Sequence, residues 1–587
     1  MNYNLSQPAS EQKQRYATFS ALRKLVSFMG PEKKNLWRAL AAMLVNSGFN
    51  LTAPLMSAYA IDHYILHHQF RGVLTIVSIL LLMYLLALIG SYLQTKWMGG
   101  VGQRLLFDLR NALFGKLQEL PLAFFNQNKT GDLISRINND TDKLNQFFSQ
   151  SLMQFVGSIF MMVGSGVFLL TIDPLLGAAA VAPALFLLLF TRAVSPWVKR
   201  RNALSLKGVG QLSAEIQESL QHFKVIVAFN RRDYFRSKFD RANRENYSLA
   251  IQAGFANTLF IPVFGLCSQL AQLIVLGLGI YLISVRHFTL GLLIGYLAYV
   301  YSFYNPLRQL AALWTNFQVA LAGWDRISQI LVLQSDMPQL RRSANSPPPP
   351  AIRFRDVSFA YAGGKAVLEK VNFSLVAGKT YAFVGPTGGG KTTTASLMAR
   401  LFDPQEGEII LQGRDIRSYP MDDRCRRVGF ILQEPYLFGG TIRENILYGN
   451  ESYQQVSDEE LTGLLHSMNL ENLFQRLGAG LDAKIQSGSD GISLGQKQLI
   501  AFLRAVLRKP EILILDEATA NIDTVTEKLL EEIVRNLPKE TVRVIIAHRL
   551  NTIANADEIF FVNSGQVLPA GSLANALDML LHQDRKS

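Results

Sequence analysis

Six long apolar stretches occupy most of the first 320 residues, at about 37–62, 73–97, 151–171, 174–195, 252–285 and 289–320. Each is near or above the length that crosses about 30 Å of hydrocarbon as a helix. Lipid offers no partner to a bare peptide group, so such segments must satisfy their own backbone. The connections near 63–72, 172–174 and 285–288 hold only Arg71 and Arg286 as fixed cations. Segment 99–150, by contrast, carries Arg104, Arg110, Lys116, Lys129, Arg136 and Lys143, and 192–248 is richer still. The positive-inside rule then places both long connections, and both termini, in the cytoplasm.

Composition agrees with a membrane protein. Of 587 residues 49% are hydrophobic and 18% charged, and the length exceeds one ordinary domain. The net charge of +13 is explained by cytoplasmic loops, with no need for a nucleic-acid partner. Two cysteines, Cys267 and Cys425, offer neither a disulfide framework nor a zinc site. Residues 1–18 form a polar tail without a secretory pattern. The amphipathic segment Phe19 to Met29 predicts an elbow helix along the membrane surface.

The two long connections keep a helical apolar period. They predict transmembrane helices that continue into the cytoplasm and fold back, with short crossing segments near Phe125–Ile134 and Ser213–Phe223. Such tips can dock on a cytosolic domain; an ordinary charged surface is the alternative. Pro347 to Pro350 form a stiff spacer closing a 331–350 linker.

Beyond it, strand-like and helix-like runs alternate, as in an α/β domain. Gly385-Pro386-Thr387-Gly388-Gly389-Gly390-Lys391-Thr392 fits the phosphate loop (Walker A) spacing, followed by Thr393. Backbone N–H groups of such a loop wrap phosphates at a helix N-terminus. Lys391 is placed to reach the β/γ-phosphates and Thr392 to ligate Mg²⁺. The bland alternative is a Gly-rich turn with a chance Lys-Thr. Ile512 to Asp516 is an apolar strand ending in Asp516 and Glu517. Asp516 can hold the metal while Glu517 activates a water; surface acids capping a strand are the common alternative. His548 ends another apolar strand and could contact a γ-phosphate; a lone histidine carries little signal, and this one gains weight only from its place in the series. Tyr361, upstream, offers a ring on which adenine can stack; a core or surface aromatic is the commoner alternative.

With these residues in place, the chain resembles a half-size ATP-binding cassette exporter over about 20–575. Ile492-Ser493-Leu494-Gly495-Gln496 resembles the family's signature loop. Gln433 resembles its Q-loop glutamine, a Mg²⁺ contact, and Ala520 to Asp523 its interface loop. Leu120 to Asn126 and Gly131 to Arg136 resemble the exporters' first intracellular loop. The resemblance implies a transmembrane domain at 19–330 with six α-helical spans and long cytoplasmic extensions. An α/β phosphate-loop cassette at 351–580 and a polar tail at 581–587 follow. It also implies ATP and Mg²⁺, with catalytic Lys391, Glu517 and His548. Each nucleotide is sandwiched between one chain's phosphate loop and Ser493, Leu494, Gly495 and Gln496 of another, so a second half-transporter is needed.

Two departures stand out. Leu494 replaces the first signature glycine, and Ile485 to Ser489 lacks the Gly-Glu-Arg-Gly cluster of many homodimeric relatives. The combination resembles one half of bacterial heterodimeric multidrug exporters, in which one of two sites is impaired. A heterodimer is expected over a homodimer, in a bacterial inner membrane, exporting a hydrophobic or amphipathic compound, drug or lipid. Tyr296, Tyr299, Tyr301, Phe303 and Tyr304 offer either an aromatic substrate surface or simple helix packing. The alternatives are an exporter-shaped importer of a siderophore or metal chelate, and a regulatory membrane protein with a gating cassette.

Overall fold

The computed structural model describes residues 3–5, 30–285, 287–340, 351–453, 455–475, 477–478, 480–485, 492–516, 524–546, 553, 555–572, 574–576 and 578–579. The expected elbow helix at 19–29 lies outside them. The chain forms two compact units. One holds 333–587 with 119–130 and the first seven residues; the other holds 8–118 and 131–332.

The helical unit contains α1 (Lys33–Ala60), α2 (Phe70–Glu119), α4 (Thr130–Ser135), α5 (Thr141–Gln146), α6 (Leu152–Ile172), α7 (Pro174–Gln221), α8 (Phe223–Ala228), α9 (Arg232–Thr258), α10 (Phe260–Ser284) and α11 (Leu290–Val332). The intervening α3 (Leu122–Gln127) belongs to the other unit. Among the described residues, five helical runs are long and apolar enough to cross a membrane: Gly30–Ile65, Phe70–Glu119, Thr130–Ile172, Pro174–Gln221 and Arg232–Ser284. The sixth expected span forms α11, whose tyrosines and Asn305, Arg308 and Gln309 dilute its apolar content. The apolar window of α2 has none of its residues buried, so its leucines face away from the unit.

The tight connection between α6 and α7 is a single residue, Asp173, which caps α7 by accepting from the Leu176 N–H at 2.9 Å. Pro174 opens α7 at a position where a missing N–H costs nothing. Gly177 is required there because a Cβ would meet the Leu169 carbonyl oxygen at 2.4 Å.

Short helices overlap the first expected crossing segment, and another begins at the end of the second. Pro121 interrupts the α2 ladder, so the first tip is α3, which stops at extended Asn128; α4 resumes at Thr130. The expected Ser213–Phe223 tip is the end of α7 instead, because that stretch holds no breaker until His222. The second tip is α8, closed at Asn230 with φ +50°.

The tyrosines of α11 resolve into packing. Tyr296 donates to Leu169 O at 2.5 Å, Tyr299 to Leu51 O at 2.5 Å, and Tyr304 to Ala180 O at 2.9 Å. All three are buried in one cluster with Leu169, Ala180 and Val275, whereas Tyr301 is exposed. Burying a phenol in an apolar bundle requires such a partner. A π-helical turn at Arg136–Asp140 sets a second anchor. Buried Arg136 bonds Asp132 at 2.9 Å, Arg326 O at 2.7 Å and Gln329 at 2.9 Å. Asp140 is held between Lys143 at 3.0 Å and Arg326 at 3.3 Å. These charges are paired as buried ions must be.

The second unit is α/β. β1 (Ile352–Ala360), β2 (Ala366–Leu375), β4 (Glu406–Leu411) and β5 (Arg414–Asp415) form an antiparallel sheet. β3 (Thr380–Val384), β6 (Val428–Ile431), β9 (Ile512–Asp516), β10 (Val542–Ile546), β11 (Glu558–Asn563) and β12 (Gln566–Pro569) form the main sheet, in the order β12-β11-β3-β10-β9-β6. β3, β10 and β9 are parallel and buried almost throughout, which is why they read as unbroken apolar runs. Helix α12 (Lys391–Met398) follows β3. A mainly helical lobe comprises α13 (Met421–Arg427), α14 (Ile442–Leu447), α15 (Asp458–Ser467), α16 (Glu471–Gln475), α17 (Leu494–Val506) and α18 (Thr524–Arg535), with the small ladder β7 (Gly440–Thr441) and β8 (Lys484–Ile485).

Tyr299→Phe removes one buried interhelical bond. It should lower the stability of the helical unit by about 1 kcal/mol, read as a lower melting temperature in detergent; an unchanged melt would show that the bond is inessential.

Candidate nucleotide site

Strand β3 delivers the chain into the Gly-rich loop, and β11 forms its floor. Gly385 has φ +145°, and a Cβ there would lie 2.1 Å from Val562 O; at Gly389 it would lie 2.6 Å from the same oxygen. Only glycine lets the loop press so closely on β11. Lys391, at the start of α12, is buried and folds its ammonium over the loop, donating to Gly385 O at 2.9 Å and Pro386 O at 3.0 Å. Thr392 donates to Asp516 Oδ1 at 3.4 Å. The sheet order explains that meeting: β10 lies between β3 and β9, with Ile546 opposite both Phe383 and Asp516. Asp516 is 2% exposed.

Tyr361 is half-exposed, wedged edge-on against Phe359 and Phe402, and its hydroxyl bonds Thr393 Oγ1 at 3.0 Å. One cavity of about 670 Å³ runs from this ring to the loop, lined by Tyr361, Val367, Pro386, Thr387, Gly388 and Gly389, and by the turn Asn563 to Gly565. Sequence reasoning missed that turn. Its signal was the Asn-Ser-Gly run: Asn563 pairs with Gln566, and Ser564 and Gly565 both have positive φ, at +48° and +80°. That is the two-residue hairpin chemistry of a type I′ turn.

Gln433 is exposed just past β6. Glu517 and His548, which follow Asp516 and Ile546 within two residues, lie outside the described residues, as does Ala520 to Asp523. The signature segment stands apart from the 670 Å³ cavity: none of residues 493–496 lines it. Ser493 caps α17, accepting from Gln496 N–H at 3.2 Å while Gln496 Oε1 accepts from Ser493 N–H at 3.0 Å. A hydroxyl used as a cap acceptor keeps its proton for donation. Leu494 is exposed at the head of this helix. Behind it, Arg504 donates to Asn445 O at 2.8 Å and Tyr436 O at 3.2 Å and covers the rings of Tyr448 and Phe438. Burial pulls its guanidinium below the usual arginine range.

The geometry combines a ring, an amide-lined loop, an ammonium, and a hydroxyl beside a buried carboxylate. Two hard oxygen ligands, Thr392 Oγ1 and Asp516 Oδ1, suit Mg²⁺, and the glycine cradle suits phosphate.

Residues 36–307 match the model of the ABC transporter transmembrane region, and 368–520 that of the ABC transporter domain. An uncharacterized ABC transporter ATP-binding protein of Bacillus subtilis, YfiC, is 33% identical over 94% of this chain and 92% of its own. The chain belongs to the ABC transporter family. It is an ATP-hydrolysing, multi-pass membrane transporter of the half-size exporter group. An ATP-dependent lipid A-core flippase of Syntrophus aciditrophicus is 30% identical over 96% of this chain and 92% of its own. A fatty acid ABC transporter ATP-binding/permease protein of Mycobacterium bovis is 31% identical, over 87% and 80%.

Because the transporter's loop has no room for a Cβ at its first glycine, Gly385→Ala should weaken ATP binding at least about tenfold, about 1.4 kcal/mol. Equilibrium binding to the purified chain checks this; unchanged affinity would mean that the loop relocates without cost.

Proposed function

We propose that this chain is one half of a dimeric exporter that moves a hydrophobic or amphipathic compound, drug or lipid out of the cytoplasm or inner leaflet of a bacterial inner membrane. The cassette and both termini face the cytoplasm in this reading. The observation that carries it is the separation of Ser493–Gln496 from the cavity shared by Tyr361 and the Gly-rich loop. A signature outside its own chain's cavity suits one that completes the site of another chain.

The roles follow from the residues. Tyr361 stacks the adenine. The loop amides and Lys391 hold the phosphates, while Thr392, Asp516 and Gln433 hold Mg²⁺, which neutralises phosphate charge. Glu517 orients the attacking water and His548 contacts the γ-phosphate. Ser493 and Gly495 donate to the partner's nucleotide from the N-terminus of α17. ATP thus joins two cassettes; hydrolysis transfers the γ-phosphoryl group to water, and release of the inorganic phosphate removes the charge that held them. The tip α8 exposes Phe223, Val225 and Val227, and the cassette exposes Leu432, Tyr436 and Phe438. Apolar surfaces of this kind suit docking between two half-transporters, converting cassette closure into alternating access. The relatives named for lipid A-core and fatty acid support an amphipathic cargo.

Leu494 favours a heterodimer. Its side chain brings no donor to the place where a glycine would let the backbone approach the partner's phosphates. Purified alone, the chain should show little cooperative ATPase activity; strong cooperative turnover without a partner would remove the heterodimer. Within the assembled transporter, Glu517→Gln should cut ATP hydrolysis by at least ~100-fold while keeping ATP binding. Unchanged turnover would place the water-activating carboxylate elsewhere.

A further inference from the structure

Helix α3 has little to hold it by itself. It is six residues long, its N-cap Pro121 provides no side-chain bond, and isolated helices of this length are not stable in water. Phe124 is fully buried, and Ala123 packs on the cassette core. The C-terminal end is satisfied by Asn128, whose side-chain amide donates to Phe124 O at 2.8 Å.

That same amide reaches residues more than a hundred positions away. Asn128 Nδ2 donates to Tyr3 O at 2.9 Å, and Asn128 Oδ1 accepts from Leu5 N–H at 3.0 Å. Gln127 Oε1 accepts from Tyr3 N–H at 2.8 Å. Three main-chain groups of segment 3–5 are therefore paired as they would be at a sheet edge, with side chains supplying the second strand. Tyr3 is 1% exposed, its ring edge-on to Phe124 at 6.2 Å. Its phenol crosses to the segment after α11, donating to Gln334 O at 3.3 Å and accepting from Asp336 N–H at 2.8 Å. Burial first, and then Asp336, pushes this phenol up to about 12, so the hydroxyl stays a neutral bridge at physiological pH. The linker is pinned further along: Arg400 donates to Pro338 O at 2.9 Å and Leu340 N–H to Arg417 O at 3.0 Å.

A second cavity, about 870 Å³, is lined by Asn4, Pro121, Ala123 and Gln127 and also by Tyr361 and Phe402. Tyr361 thus belongs to the walls of both this cavity and the nucleotide cavity.

We propose that residues 3–5 are a latch, with Tyr3 as the positioning residue that bolts α3 to the linker at 334–336. The tip and the linker then follow the cassette as one piece. The site's own ring, Tyr361, lies beside that piece, so nucleotide binding is felt where the chain enters and leaves the membrane domain. The transmission role rests on the alternating-access reading above; the latch itself does not.

Hydrogen exchange on the assembled transporter in lipid nanodiscs tests both. Tyr3→Ala should speed exchange at least about tenfold in 122–128 and 334–337, with 391–398 unaffected as the control for folding. Tyr3→Phe keeps the ring and the main-chain bonds, so it should release Asp336 alone. Asn128→Ala added to Tyr3→Ala should produce no further release of 3–5 or 334–337, as expected of one shared network. Trapping with Mg²⁺, ADP and vanadate should alter exchange in 105–118 of the native protein and leave it unaltered in Tyr3→Ala. Unchanged exchange in both segments of Tyr3→Ala, or equal release by the Phe and Ala variants, overturns the latch. A native protein without a trapping response overturns the transmission role and alternating access together, while exchange in 122–128 still decides the latch.

Discussion

Backbone N–H groups that lack a carbonyl partner are the first constraint on the membrane half of this chain. In hydrocarbon they are intolerable, and the membrane half answers with helical runs of up to 53 residues that leave few ends to satisfy. Where an end is unavoidable it is covered locally, as by Asp173 at α7. In the cassette the backbone is instead pressed against its neighbour: a Cβ at Gly385 or Gly389 would lie 2.1 Å or 2.6 Å from Val562 O, so only glycine fits there. The transporter joins a domain whose backbone closes on itself to one whose loop leaves no room for side chains.

Much of this was legible from residue order. The apolar runs, the phosphate loop and the strand ending at Asp516 each carry a pattern whose physics is local. The tips were placed less well. Their position depends on where a long helix stops, and helix period alone does not show that; Pro121 and Asn128 decide the first tip, His222 and Asn230 the second. The tyrosines of α11 were ambiguous for a related reason. An aromatic side chain looks the same in sequence whether it lines a cavity or bonds a neighbouring helix, and only the Leu51, Leu169 and Ala180 carbonyls separate the two.

The nucleotide site was legible in its chemistry and not in its walls. Thr392 and Asp516 meet because β3, which leads into the loop and α12, and β9, which ends at Asp516, flank the same strand β10. The 563–565 turn comes from far along the chain and has no charge or reactive group to draw attention to it. Arg504 shows how the helical lobe is kept in register. Its guanidinium fastens the helix led by Ser493 to the stretch that follows Gln433, so two distant sequence elements share one cation.

Tyr3 has a practical side as well. Its amide and carbonyl are both committed to α3, and its ring is enclosed. A spectroscopic label attached at this position therefore reports on α3 and on segment 334–336 as much as on its own surroundings.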